Sequence, residues 1–224
     1  MKGRKRFYDD GCAMAHALDL IGERWALLVV RELTLGPKRF TDIRVGLPAI
    51  SPNVLTQRLE ELEQASIVRR RRLPPPGAAW VYELTNWGSE LEPILKAIGR
   101  WAARSPGLPL GASMSVSSVI LSLRTMFDSQ AAAGFQASIE LRFGEERFRA
   151  ELVKGQMQLT RGSADQPDAV IQGDQNALAA VVYGGRKLAG AIRSGELKVD
   201  GDKSLVKRFL ALFPLPERSP DTSR

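Results

Sequence analysis

Asn53, Thr56 and Gln57 fall within five residues of one another, just after Ser51-Pro52, in a segment whose leucines recur as Leu55, Leu59 and Leu62. Asn and Gln carry a donor and an acceptor in one plane and can pair bidentately with the edge of adenine; Arg58, beside them, could do the same with guanine or pair with phosphate. A second charged group follows at once. Arg69-Arg70-Arg71-Arg72 stands before Pro74-Pro75-Pro76-Gly77, and Lys38-Arg39 lies further upstream. Short polar side chains beside clustered guanidiniums suit an anionic partner with readable edges, which is double-stranded DNA. The plainer alternative is an ordinary amphipathic helix and a solvated run of arginine.

The elements that would position these groups can be read from periodicity. Apolar residues recur at helical spacing from Cys12 to Ile21 and from Arg24 to Leu35, ended by Gly36-Pro37. A short third helix carries Phe40, Ile43 and Leu47. Ser51 is an N-cap with Pro52 at the first helical position, where no amide donor is missed, so the next helix turns Asn53, Thr56 and Gln57 outward with Arg58 and Glu60 flanking. Ile67 to Leu73 and Trp80 to Leu84 are strand-like and joined by the proline-rich stretch as a hairpin, in which alternation sends about half of the four arginines to each face. A helix is expected from Asn86 to Arg104. Helix, helix, helix, helix, hairpin, helix is the order of a winged helix-turn-helix.

Residues 105–118 are rich in Ser, Gly and Pro and read as a linker. After a helix at about Val119 to Ser129 the period becomes two: Phe135, Ala137, Ile139, Leu141 and Phe143 alternate with polar residues, turn at Gly144 and continue through Phe148, Ala150 and Leu152. Strands are also expected at Met157 and Leu159 and over Ala169 to Gln172. The tail echoes itself, Val-Ile-Gln-Gly-Asp at 170–174 and Lys-Val-Asp-Gly-Asp at 198–202, with Asp174 and Asp202 as N-caps at strand-to-helix junctions. The whole is α+β: a winged helix-turn-helix over 1–104, the linker, an antiparallel-rich sheet covered by helices over 119–216, and a disordered tail at 217–224.

Composition narrows the function classes. With 32 Lys and Arg against 25 Asp and Glu the formal charge is +7, and up to Ser105 the count is 17 against 12, so the excess sits at the front. The single histidine, His16, leaves one base for any Ser-His-Asp triad and rules out multi-histidine metal sites, and no phosphate-binding glycine motif is present, so no enzyme and no cofactor is expected. No run reaches the roughly 18 apolar residues that cross a bilayer. The basic N-terminal run leads into no apolar stretch, and Cys12 has no partner for a disulfide, so the expected location is the cytoplasm, with no membrane partner.

Taken in order, Cys12, Leu-Asp-Leu-Ile-Gly-Glu-Arg-Trp (18–25), Arg-Glu-Leu (31–33), Gly-Pro-Lys-Arg-Phe-Thr-Asp-Ile (36–43), Ile-Ser-Pro-Asn-Val-Leu-Thr-Gln-Arg-Leu-Glu-Glu-Leu (50–62) and Tyr-Glu-Leu-Thr (82–85) resemble the HxlR family of bacterial winged-helix regulators over about residues 7–104. The resemblance implies a homodimer built largely from the first helix and the helix of 86–104, with two recognition helices in successive major grooves of a roughly palindromic operator. DNA contacts are then expected from Lys38, Arg39, Ser51, Asn53, Thr56, Gln57, Arg58, Arg70, Arg71 and Arg72. Ser66 stands where the family has a helix-closing glycine. Cys12 falls on a cysteine that senses electrophiles or oxidants in some members; the other reading is a small buried hydrophobe beside Ala13 and Ala15.

The second half resembles sterol-carrier-protein-like domains in its sheet and in Gly-Glu-Leu-Lys-Val-Asp-Gly-Asp followed by an amphipathic helix. That likeness implies a tunnel for a hydrophobic small molecule, lined by Phe135, Phe148, Met157, Leu188, Phe209 and Phe213, residues that plain core packing explains equally well. The rival functional reading is a lipid carrier in which the helical domain serves for dimerisation.

Overall fold

A computed structural model of the chain describes residues 8–220; the basic run at 1–6 and the end of the expected tail, 221–224, lie outside the described residues. The chain divides into two compact units, one to Leu95 and one from Lys96.

The first unit holds α1 (Ala13–Ile21), α2 (Ala26–Leu33), α3 (Phe40–Gly46), α4 (Pro52–Gln64), the hairpin β1 (Val68–Arg72) and β2 (Trp80–Leu84), and α5 (Asn86–Ser89). α6 (Leu91–Ala102) begins in it and continues into the second. α2 starts at Ala26 rather than Arg24 because Trp25 takes φ +78°, outside the helical region. The single helix expected from Asn86 to Arg104 is two helices, because Pro93 has no N–H to give to the Ser89 carbonyl. One core of Val29, Val30, Leu33, Ile43, Leu55, Leu59, Leu62 and Ile67 serves α1 to α4 and the hairpin, and Leu91 and Leu95 pack against it.

α4 is capped at both ends by its own sequence. Ser51 Oγ accepts the Val54 amide at 3.3 Å, and Pro52 sits at the first turn. At the other end the Ile67 amide reaches the Leu62 carbonyl (2.9 Å) and the Ser66 amide the Glu63 carbonyl (2.9 Å), the paired bonds that close a helix over a left-handed residue. That residue is Ser66, at φ +57°. Serine therefore takes the conformation a glycine would, and the helix boundary does not move.

The second unit opens with α7 (Val116–Met126), which starts at Val116 rather than Val119 because Ser115 Oγ accepts the Ser118 amide at 3.1 Å. Its sheet has the order β5-β4-β3-β6-β7, with β3 (Ala137–Phe143), β4 (Glu146–Val153), β5 (Gln156–Arg161), β6 (Ala169–Gly173) and β7 (Leu197–Gly201). Only the β3–β6 pairing within it is parallel. Ile139, Leu141, Phe148, Ala150 and Leu152 are buried on one face, while Ser138, Arg142, Arg149 and Glu151 alternate with them on the other. α8 (Gln175–Val182), α9 (Leu188–Arg193) and α10 (Lys203–Leu210) complete the unit.

The sequence echo has a structural cause. β6 and β7 lie antiparallel, Ala169 opposite Gly201 and Gly173 opposite Leu197. A Cβ on Gly173 would run into the Glu196 carbonyl, and one on Gly201 into the Asp168 carbonyl. The aspartate after each glycine then caps a helix: Asp174 Oδ1 accepts the Ala177 amide (2.8 Å) and Asp202 Oδ1 the Ser204 amide (2.7 Å). Glycine permits the close approach and aspartate starts the helix, twice. Among the described residues no helix is long and apolar enough to cross a membrane.

A non-glycine residue held left-handed costs about 1–2 kcal/mol, and glycine gives back about 0.4–1 kcal/mol through the freer unfolded chain. Ser66→Gly is therefore expected to stabilise the first unit by about 0.5–1 kcal/mol in urea unfolding. A variant less stable than the wild type would show that the serine at 66 makes a contact the strain argument omits.

Candidate nucleic-acid interface

α4 places Leu55, Leu59 and Leu62 inward, each at most 1% exposed. Ser51, Asn53, Thr56 and Gln57 are exposed on its other side. Thr56 Oγ1 donates back to the Pro52 carbonyl at 3.0 Å, and Gln57 Nε2 donates to Glu61 Oε1 at 2.9 Å. Asn53 lies in the first turn, where the helix presents its amides and the positive end of its dipole.

Arg58 does not belong to this surface. It is buried, with its guanidinium against Glu61 and 3.5 Å from Glu23 Oε2. Positions 55, 58, 59 and 62 form the full i, i+3, i+4, i+7 stripe, so residue 58 had to point inward whatever its charge. Two carboxylates make that position tolerable for arginine.

Lys38 is likewise corrected. It is 8% exposed, and its Nζ lies 2.8 Å from Oε2 of Glu32, itself fully buried on α2. Arg31 NH2 holds the other oxygen at 2.9 Å. Lys38 also pairs through its backbone with Tyr82 of β2, its amide to the Tyr82 carbonyl at 3.0 Å and the reverse at 2.8 Å. It joins the helices to the hairpin rather than facing outward. Arg39, next to it, is exposed at the start of α3, where its amide donates to Asp42 Oδ2 at 3.2 Å.

The hairpin sorts its arginines by alternation. In the register Arg69 faces Glu83, Arg70 faces Tyr82, Arg71 faces Val81 and Arg72 faces Trp80. Glu83 takes Arg69 Nε on one oxygen and Arg71 Nε on the other, both at 2.7 Å, so Arg71 is half-buried and ion-paired, a further correction. Arg70 and Arg72 stay exposed on the opposite face, with the Arg70 guanidinium 4.5 Å from the Trp80 ring centre. Stacking of this kind holds a guanidinium in place without cancelling its charge. Burial raises the Tyr82 hydroxyl pKa, Arg70 opposes that, and the charges of Glu63 and Glu60 on α4 add to it. Trp80, Glu83 and Glu32 were not singled out in the sequence. The crossing of Arg69 and Glu83 follows from hairpin register; the Glu32–Lys38 pair has no local signature.

Cys12 is exposed at the start of α1, and the amides of Ala15 and Met14 lower its thiol pKa, which removes the buried-hydrophobe reading. In the second unit Phe148, Phe209 and Phe213 are at most 1% exposed, Phe209 meets Phe213 edge to face at 5.1 Å, and Phe135 lies under the Arg208 guanidinium at 4.6 Å. Leu188 is buried on α9, and Met157 is half-buried on β5. Five of the six are buried as core residues are, and Met157 is the one that is not.

Burial pushes the Glu83 carboxyl up, but the hydrogen bonds and charges of Arg71 and Arg69 outweigh it and leave the pKa below the ordinary carboxylate value. A depressed folded-state pKa adds stability above the unfolded pKa that is lost as pH falls through the folded one. Trp80 fluorescence is thus expected to report loosening of the hairpin only below the usual carboxylate range, and Glu83→Gln to remove that transition; an acid transition of unchanged size in the variant would detach it from Glu83. For Lys38, the expected result is structural: Lys38→Met leaves buried Glu32 short of its ammonium and costs about 3 kcal/mol, most of it recovered by adding Glu32→Gln. A Lys38→Met protein that melts with the wild type and loses only DNA affinity would return Lys38 to the contact surface.

Residues 20–106 match the family model of the HxlR-like helix-turn-helix, and residues 110–219 that of the alkyl sulfatase C-terminal region. The second unit is thus similar to a family other than the sterol carriers that its pattern resembles. The chain is 41% identical over 86 residues to the HTH-type transcriptional regulator YvaP of Bacillus subtilis, covering 38% of this chain and 80% of YvaP. It is 40% identical over 89 residues to the HTH-type transcriptional regulator YodB of the same organism, covering 40% and 80%. Among solved structures, the reduced form of YodB aligns at 37% identity over 43% of this chain and 95% of that one, with a TM-score of 0.39. The sec-alkylsulfatase Pisa1 of Pseudomonas aligns at 22% identity over 41% of this chain and 15% of its own, with a TM-score of 0.39. The chain belongs to the HxlR-like helix-turn-helix family of DNA-binding transcriptional regulators.

Proposed function

We propose that the protein binds double-stranded DNA as a homodimer, each protomer laying α4 in a major groove with Asn53, Thr56 and Gln57 toward the bases. Ser51 and Arg39 meet phosphate beside the helix, and Arg70 and Arg72 of the hairpin run along the backbone. The observation that carries this is the outward face of α4: its polar side chains are exposed rather than packed, in the same unit as the hairpin face where Arg70 is stacked on Trp80. For the twofold assembly the support is a set of exposed apolar side chains, Met14 and Leu18 on α1 and Ile94, Ile98 and Trp101 along one stripe of α6. Cys12, exposed and with a lowered thiol pKa, is the residue through which an electrophile would act on α1. Modulation by an apolar ligand in the second unit would require the rings of Phe209 and Phe213 to part. The packing thus favours a scaffold role for these six residues over a lipid-carrier reading.

The test is fluorescence anisotropy with DNA from the protein's own promoter region. Gln57→Ala is expected to weaken specific binding by about 1–3 kcal/mol, and Arg70→Ala to weaken it across sequences while lowering the salt slope by about one. Unchanged binding in both variants would remove this surface as the reader.

A further inference from the structure

The second unit contains an open cleft of about 370 Å³ between the later part of α6 and the end of α7, within the size range of small-molecule sites. Lys96 and Arg100 stand on one wall, four residues apart and so on the same side of α6. Ser129, the half-buried ring of Phe127 and Arg124, whose Nε donates to the Leu159 carbonyl at 2.8 Å, form the other. The α6 wall is distinct from the stripe of Ile94, Ile98 and Trp101, which falls on another side of the helix.

The electrostatics of the two α6 cations are unusual. An Arg100 NH2 donates to the Thr125 carbonyl, which anchors the guanidinium to α7 through a neutral acceptor. A carbonyl fixes position without supplying a compensating negative charge, and the remaining guanidinium donors stay available for a ligand. Neither Lys96 nor Arg100 has a carboxylate partner among the described residues. Among the described residues no acidic side chain lines the cleft. Phe127 is held by its own packing, its ring centre 6.2 Å from that of Phe213, so it offers a fixed apolar surface beside the charges. Three cations, a hydroxyl and an aromatic ring around a concave space make a recognition element for a molecule with one anionic head and one flat or apolar body.

We propose that this cleft binds a small organic anion, its oxyanion head taken by Arg100 and Lys96 and its apolar body laid on Phe127. The site shares no residue with the proposed DNA-facing surface and does not rest on that reading.

Isothermal titration calorimetry on the full chain tests this with three aryl anions: phenyl phosphate, phenyl sulfate and benzoate. Benzyl alcohol serves as the uncharged counterpart and inorganic phosphate as the head alone. At least one aryl anion is expected to bind saturably, one per chain, with benzyl alcohol silent and inorganic phosphate weaker. Lys96→Gln, which breaks no hydrogen bond, and Arg100→Gln are each expected to weaken that binding by about tenfold, the loss of a charge-assisted contact, while Arg70→Ala leaves it unchanged. Because Arg100 also anchors α7, the Lys96 variant separates loss of ligand from loss of structure. Binding equal in wild type and both cleft variants, binding abolished by Arg70→Ala, or no saturable binding of any of the three anions would overturn the proposal.

Discussion

Everything in the DNA-binding unit is registered on one buried carboxylate. Glu32 lies on α2 with no exposed surface, takes Lys38 on one oxygen and Arg31 on the other, and occupies the space where a side chain at Gly46 of α3 would otherwise go. Lys38 in turn pairs its backbone with Tyr82. A single charge thus ties α2, the turn into α3 and the second strand of the hairpin. Buried ion pairs add little net stability compared with a well-packed apolar substitute, but once built they strongly disfavour arrangements that separate the partners. Here the arrangement they specify is the placing of the hairpin relative to the helices.

Given that frame, the surface follows by elimination. α4 must give its i, i+3, i+4, i+7 stripe to the core, which takes Leu55, Arg58, Leu59 and Leu62 and leaves Asn53, Thr56 and Gln57 outside. The hairpin divides its arginines by strand alternation, Glu83 neutralising Arg69 and Arg71 while the aromatic pair Trp80 and Tyr82 supports Arg70. Charge is cancelled on the face that carries Glu83 and kept on the face that carries Trp80. The excess of basic residues in the sequence overstates the available charge, because Lys38 and Arg58 are spent internally.

The readable parts of the sequence were those governed by neighbours along the chain. Ser51-Pro52 with three spaced leucines specifies α4 locally, period-two alternation specifies β3 and β4, and the two Gly-Asp steps mark the helix starts after β6 and β7. What escaped depends on residues brought together by folding. Arg58 reads as an outward charge until Glu23 and Glu61 are placed beside it, and Lys38 reads as a surface cation until Glu32 is found buried. The split between α5 and α6 was available in principle, since Pro93 cannot donate to Ser89, but the apolar stripe across it masks the break. The cleft beside Arg100 has no linear signature, because its walls come from two helices separated by a loop.

The account is tested most directly by asking where the start of α4 lies on bound DNA. An iron chelate attached at Asn53→Cys, in a Cys12→Ser background, should cleave operator DNA inside two major-groove segments whose centres are about one helical turn apart. Cleavage scattered along the duplex, or none while the labelled protein stays bound, would contradict the placing of α4 as the reading element.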